Sequence, residues 1–381
     1  MEKKLLFILN FSKLILLIST FLVSLPLISY STNLNYMLSQ LENYYTSNQT
    51  INFRITLDQI TQIAISTKQQ EIVINFIKNN LTQYTNPIIN EQIADALFNL
   101  GDTNLSKAKY HECIKYLNPS SKASLSFISR IYQKISHISL LHGDIQNYLF
   151  YLTQSYNYQP DPDEKSTIKI EIIKHKINYL TISQDEVKAE ISQILQIPLS
   201  NYEKLYNNLV EIYDSVGMKQ ESIYILQNIL PKYQSLESFI TRYNYSQNKQ
   251  EQKSILEQMI KLYPKADPYY MEKLADIYLE EGENQYAKEL YHKVIFRIPT
   301  KHQVLYKLAR IYQNENNLYL AERYILLAIK QTNSPEYLEL AGDMFKKVDK
   351  NKAKQYYSKA YDLYQDMDSK IRIRSKISEL E

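Results

Sequence analysis

The chain has no tryptophan, a single cysteine and only five glycines in 381 residues, and each shortage removes a class of chemistry. One thiol, Cys113, allows no intramolecular disulfide and reads as a small buried apolar side chain. Five glycines cannot assemble a G-x-x-x-x-G-K-[ST] or G-x-G-x-x-G loop, so a phosphate cradle of either kind is absent. No H-E-x-x-H and no G-x-S-x-G occurs. The six histidines, His111, His137, His142, His175, His292 and His302, are scattered. His137 and His142, five residues apart on one helix, diverge by about 140° and suit no shared metal. The expectation is therefore of no catalytic residue, no metal and no cofactor, and of a protein that is not an enzyme.

Charge of one sign is lacking too. The chain carries 44 basic and 41 acidic side chains, a net charge of +3. Residues 1–31 hold three of those lysines and one glutamate, so without them the balance falls to +1. Nucleic-acid readers carry a basic excess on one face, and that balance points to no nucleic-acid partner. Hydrophobic content of 44% with 22% charged residues suits an ordered chain. The 35 tyrosines beside many Lys, Asn and Ile read as codon bias toward an AT-rich genome. Tyrosine also suits half-buried sites, since its hydroxyl can reach water.

Long apolar runs are confined to the first thirty residues. Lys3, Lys4 and Lys13 precede the run Leu14–Ile28, and Ser29-Tyr30-Ser31 offers small residues at the spacing of a cleavage site. This pattern predicts a secretory signal over residues 1–31. A 15-residue run is short for a span of about 20, but no charge falls between Lys13 and Glu42, so a retained inner-membrane anchor over 14–28 is the alternative. Flanking lysines would then hold the N-terminus in the cytoplasm and the rest outside. No cysteine follows the run, which excludes lipid attachment there. Four N-x-[ST] triplets, Asn48-Gln49-Thr50, Asn80-Leu81-Thr82, Asn104-Leu105-Ser106 and Asn244-Tyr245-Ser246, are expected by chance in so Asn-rich a chain, and Ser106 reads as buried.

What is abundant is internal repetition. The alanine pairs Ala275/Ala287, Ala309/Ala321 and Ala341/Ala353 are each twelve residues apart and recur every 32 to 34 residues. Where two short helices cross, only a small side chain fits. Around them run Met271-x-x-Leu274-Ala275-x-x-Tyr278 with Tyr291 and Val294, then Leu305-x-x-Leu308-Ala309-x-x-Tyr312 with Ile325 and Ala328, then Tyr337-x-x-Leu340-Ala341-x-x-Met344 with Tyr357 and Ala360. This resembles the tetratricopeptide repeat, W-x₂-L-G-x₂-Y…A-x₃-F…P, with tyrosine or leucine for tryptophan and alanine for the first glycine. Weaker copies fit around Val210 and Ser222, Ile240 and Gln252, Ala94 and Ser106, and Ser136. Pro198, Pro231, Pro264, Pro299 and Pro335 mark regular helix ends. Gly101, Gly143, Gly217 and Gly282 mark the turns between paired helices.

The reading is all-α: a right-handed superhelical solenoid of stacked antiparallel helix pairs with about sixteen to twenty helices and no sheet. Its parts are 1–31 as signal or anchor, 32–89 as a helical segment of degenerate repeats, 90–198 as degenerate repeats, 203–365 as well-formed repeats and 366–381 as a capping helix. In the cap, Ile371, Ile373, Ile377 and Leu380 should cover hairpin 336–365 with Lys370, Arg372, Arg374 and Lys376 outward, and a lipid-binding basic tail is the competing reading.

The resemblance implies a concave groove lined by first helices. Its residues should lie one position after the small-residue site and one turn further on: Glu211, Asp214, Thr241, Asn244, Asp276, Leu279, Arg310 and Gln313. Glu272, Asp276 and Glu211 stand where family members that clamp a peptide carboxylate have lysine and asparagine, so such a clamp is not expected in this groove. The function implied is an exported scaffold, periplasmic or extracytoplasmic in a bacterial envelope, holding a protein, peptide or helix in that groove. A membrane-anchored repeat protein of envelope assembly or secretion is the second reading, with membrane contact only through the N-terminal segment. An enzyme using the array as a substrate arm is the third.

Overall fold

The computed structural model describes residues 30–81 and 85–380, with side chains from Leu34 onward. The N-terminal apolar run, its lysines, Thr82 of the second triplet and Glu381 lie outside the described residues. Among those described there are twenty α-helices, one π-helical turn and one 3₁₀ turn, and no strand. None of these helices is long and apolar enough to cross a membrane. The chain forms an all-α solenoid of stacked tetratricopeptide-like hairpins, in two compact units that divide between Ser200 and Asn201.

The first unit opens with α1 (Tyr30–Thr46), α2 (Thr50–Thr67) and α3 (Gln70–Asn80). Here α2 packs against α1, against α3 and directly against α4 (Pro87–Leu100), so this start is a helical cluster rather than a row of hairpins. Leu41, Phe53, Leu57, Ile60, Ile77 and Ile93 form its core, all essentially without exposure. Hairpins follow: α4 with α5 (Thr103–Lys115), α6 (Lys122–Leu141) with α7 (Ile145–Tyr158), then α8 (Pro162–Tyr179) and the short α9 (Gln184–Leu195). Asp102, Asp144 and Asp161 cap the helices that follow them, each accepting from the backbone N–H three positions on.

The second unit holds α10 (Tyr202–Ser215) with α11 (Lys219–Tyr224), α12 (Leu236–Tyr245) with α13 (Lys249–Leu262), α14 (Pro268–Glu280) with α15 (Asn284–Arg297), α16 (His302–Asn314) with α17 (Leu318–Gln331), α18 (Pro335–Phe345) with α19 (Lys350–Leu363), and the final α20 (Met367–Ser378). Gly282 turns the α14–α15 hairpin at φ +81°, and Asn316 makes the corresponding turn at φ +60°. Asparagine tolerates that left-handed conformation better than other non-glycine residues. Gly101, Gly143 and Gly217 also have positive φ, as the turn reading requires.

Four expectations need correction. Pro335 begins α18 rather than ending a helix, because the missing N–H of proline costs nothing in a first turn. Ala341 and Ala353, both fully buried, divide between two core clusters, Ala341 with Ala309, Ala321 and Ile325 and Ala353 with Leu338, Phe345 and Tyr357. Gly342, beside Ala341, makes the tight approach in this hairpin: an added Cβ there would lie 2.5 Å from Cδ1 of Tyr357. The second helix of the α10–α11 hairpin is not continuous. After Tyr224 it widens into a π turn, Ile225–Ile229, closed by the Leu230 N–H on the Ile225 carbonyl, and Pro231 sits in the 3₁₀ turn that follows. The extra residue shifts the apolar register, so Leu230 is buried and Ile229 only half so. Finally, α20 caps the last hairpin through Ile373, Ile377 and Leu380, but Ile371 is exposed and two of its basic residues turn inward.

Candidate functional site

The two inward bases of α20 belong to an arrangement that recurs three times. Arg372 holds Glu339 bidentately, Nε at 3.0 Å and Nη2 at 2.9 Å, while Lys376 reaches Asp343 at 2.7 Å. The Tyr357 hydroxyl donates to Asp343 at 2.7 Å and the Tyr364 hydroxyl to Glu339 at 2.7 Å. Burial opposes ionisation of Glu339, yet bonds from Arg372, Tyr364 and Lys376 outweigh it and hold the carboxyl at about 2. Two hairpins earlier, Lys307 bridges Asp276 at 2.6 Å and Glu272 at 3.3 Å, Lys301 adds a contact to Glu272 at 3.2 Å, and Tyr291 donates to Asp276 at 2.6 Å. In the first unit Lys134 bridges Asp95 at 2.7 Å and Glu91 at 2.8 Å, Arg130 reaches Glu91 at 2.8 Å, and the Tyr110 hydroxyl bonds Asp95.

Each network has the same origin in sequence. A Glu-x-x-x-Asp pair lies on one face of a first helix, one turn apart. A tyrosine fourteen or fifteen residues later comes from its partner helix, and a lysine comes from the helix that follows the hairpin. Burial and the neighbouring carboxylates keep the three tyrosine hydroxyls protonated well above their ordinary range.

This settles where the eight predicted groove residues stand, all in the second unit. Glu211, Asp214, Asn244 and Arg310 are exposed, and the Arg310 guanidinium lies 6.0 Å over the Tyr306 ring. Thr241, Leu279 and Gln313 are half-buried. Asp276 is half-buried and engaged by Lys307 and Tyr291, and its neighbour Glu272 is buried under two lysines. The carboxylates of Glu272 and Asp276 are thus neutralised inside the chain. Glu211, Asp214, Thr241 and Asn244 lie on the adjacent first helices α10 and α12, while Arg310 and Gln313 lie on α16.

The residues that sequence reasoning passed over form an opening of about 330 Å³ on the first-helix face of α4 and α6. Asp95, Phe98, Arg130, Gln133, Lys134 and His137 line it, with His137 tilted over Phe98 at 6.1 Å between ring centres. The signal was present: Asp95 and Phe98 stand one and four positions after Ala94, and His137 one after Ser136, which is the spacing that selected the other eight.

The other expectations can be placed quickly. Cys113 is fully buried, its thiol bonded to the Lys109 carbonyl and pushed up to about 12, chiefly by burial. Ser106 is buried and donates to the Ala94 carbonyl at 2.8 Å, so its triplet is no open acceptor. His142 meets Thr103 at 2.9 Å and His137 meets Phe98, so the two histidines have separate partners. Among the described residues no group of three His, Cys, Asp or Glu is placed to hold a metal ion.

No protein-family model matches this chain, and no curated protein matches it either. Solved structures similar to it include a double mutant of MamA RS-1 (16% identity, 44% of this chain and 96% of that one, TM-score 0.38). A tetratricopeptide repeat protein from Parabacteroides merdae is 12% identical over 66% of this chain and 98% of that one, with a TM-score of 0.35. The human IFIT1 dimer with PPP-AAAA is 17% identical over 86% of each chain, with a TM-score of 0.32. At scores this low the fold assignment rests on this chain's own hairpins.

Proposed function

We propose that this array of tetratricopeptide-like hairpins is an exported scaffold that holds a protein partner, as a peptide or a helix, on the face of its first helices. The observation that carries the reading is the opening between α4 and α6, with polar and aromatic groups converging on one concavity. Solenoids offer extended faces of this kind, each repeat contributing the same positions. Exposed Asp214, Asn244 and Arg310 add contact points along the corresponding face of the second unit. The part of the reading that concerns export rests on the sequence of residues 1–31 alone. The runner-up, a membrane-anchored form with the same array outside, rests on the uncharged run through Leu14–Ile28.

The test is affinity capture from membrane and envelope fractions with residues 32–381 as bait, beside Phe98→Ala and His137→Ala variants. A partner retained by the native face and lost by both variants, at unchanged melting temperature, supports the reading. Equal capture by all three baits removes the α4–α6 face as the binding surface. Alkaline phosphatase fused after residue 31 reports export, and carbonate extraction of the full chain separates a cleaved signal from an anchor.

A further inference from the structure

The second unit has a cleft at the junction of the π turn with the end of α12, with Asp214 of the predicted groove at its edge. It measures about 210 Å³, with Ile223, Leu226 and Gln227 on one wall and Arg242, Tyr245 and Asn248 on the other. Leu226 and Gln227 come from the π turn itself, and such turns are common at functional sites because the extra residue re-aims neighbouring side chains.

Arg242 stands out for its buried, unsatisfied Nε. Several half-buried cations in this unit hold a carboxylate, Lys288 on Glu315 at 2.7 Å, Lys307 on Asp276 at 2.6 Å and Lys376 on Asp343 at 2.7 Å, while Lys273 and Lys370 lie over the rings of Tyr269 and Tyr361, and the Arg242 guanidinium lies 5.7 Å over the Phe239 ring. Arg242 is half-buried and makes neither an ion pair nor a side-chain hydrogen bond among the described residues, and its Nε is buried with no acceptor. Burial lowers its affinity for the proton, and Glu251 offsets this only in part. The Glu251 carboxylate lies beyond ion-pair distance and accepts the Ser246 hydroxyl at 2.7 Å. Lys219, exposed at the cleft rim, is likewise without an ion pair, and Asp214 is the one unengaged carboxylate nearby. A desolvated guanidinium with no anion is costly, and its planar fork matches a carboxylate bidentately. Arg372 on Glu339 shows that geometry completed within this same chain.

We propose that this cleft accepts a carboxylate from a peptide partner at Arg242 and Lys219, with an adjacent aliphatic side chain against Ile223 and Leu226. The site shares Asp214 with the first-helix face, but it rests on Arg242 and Lys219 and stands or falls without the α4–α6 opening. The carboxylate can be an acidic side chain or a chain terminus.

The test is calorimetric titration of residues 32–381, at low salt, with three probes. One is an acetylated, amidated peptide with leucine before glutamate; the second replaces that glutamate by glutamine; the third ends in leucine-alanine with a free carboxylate. Binding of the first or third, at least tenfold tighter than the second, is expected, and the tighter of the two identifies the carboxylate's source. Arg242→Gln should lose at least tenfold and Lys219→Gln several-fold, while Asp214→Asn, which removes a like charge, should bind as well or better. Lys219 and Asp214 are exposed, so those two variants remain informative if Arg242→Gln folds poorly. No heat with any probe at millimolar concentration, equal binding of the glutamine peptide, or unchanged binding by both Arg242→Gln and Lys219→Gln overturns the proposal.

Discussion

Replacing Gly342 by alanine is the sharpest test of how the hairpins close. Two effects oppose each other. Within a helix, alanine is favoured over glycine by about 1 kcal/mol. Against that, the new Cβ would sit 2.5 Å from Cδ1 and 2.9 Å from Cζ of Tyr357, where ordinary contact needs roughly another ångström. The ring cannot yield easily: Tyr357 is fully buried, and its hydroxyl is tied at 2.7 Å to Asp343, itself held by Lys376. Overpacking costs about 1–3 kcal/mol, and weakening a hydrogen bond to a charged acceptor adds about 1.5–3 kcal/mol. The clash therefore wins, with a net loss of roughly 1.5–5 kcal/mol. For a unit of this size each kcal/mol lowers the melting temperature by about 2–4 °C. Thermal and urea melts followed by circular dichroism measure it. In a Tyr357→Leu background the alanine should cost little, because the ring it strikes is gone. A Gly342→Ala protein that melts at or above the native temperature would refute the close approach and the pinned ring together.

Other outcomes follow from the same packing. Ala309→Leu and Ala321→Leu should each cost about 1–3 kcal/mol, since both alanines are fully buried in one cluster, and melts indistinguishable from native would place the crossing elsewhere. Deleting 366–381 should uncover the apolar end of hairpin α18–α19 and lower both solubility and melting temperature, whereas unchanged stability with lost membrane association would favour the basic-tail reading. Glu339, held at about 2 against an ordinary 4.5, contributes stability that is present above pH 4.5 and lost as pH falls toward 2, so Glu339→Gln should flatten that part of the acid melting profile. Cys113, buried and protonated, should resist thiol reagents at neutral pH until the first unit unfolds, and rapid labelling of the folded protein would contradict its burial.

Most of the architecture was legible because close crossings demand small residues at a fixed period. Ala275 with Ala287 and Ala309 with Ala321 do pack together, and the turn glycines have the positive φ their places imply. At the third pair two small residues, Ala341 and Gly342, stand side by side, and spacing alone does not say that Gly342 is the one close to Tyr357. The π turn at Ile225–Ile229 was invisible for a different reason. It leaves the pattern of apolar residue types intact and moves burial by one position, from Ile229 to Leu230. At the face of the first helices, spacing located Asp276 but not its fate, because Lys307 lies in the next hairpin and only packing brings the two together. The α4–α6 opening was missed through the choice of copies rather than for want of signal.

If a partner is held on the first-helix face, photo-crosslinking in cells will show it. A photoreactive phenylalanine analogue at His137 or Asn244, both exposed on first helices, should join the chain to one defined protein. The same analogue at Phe296, 87% exposed on the second helix α15, should give no such product. Crosslinks from Phe296 to that protein, with none from His137 or Asn244, would contradict that placement.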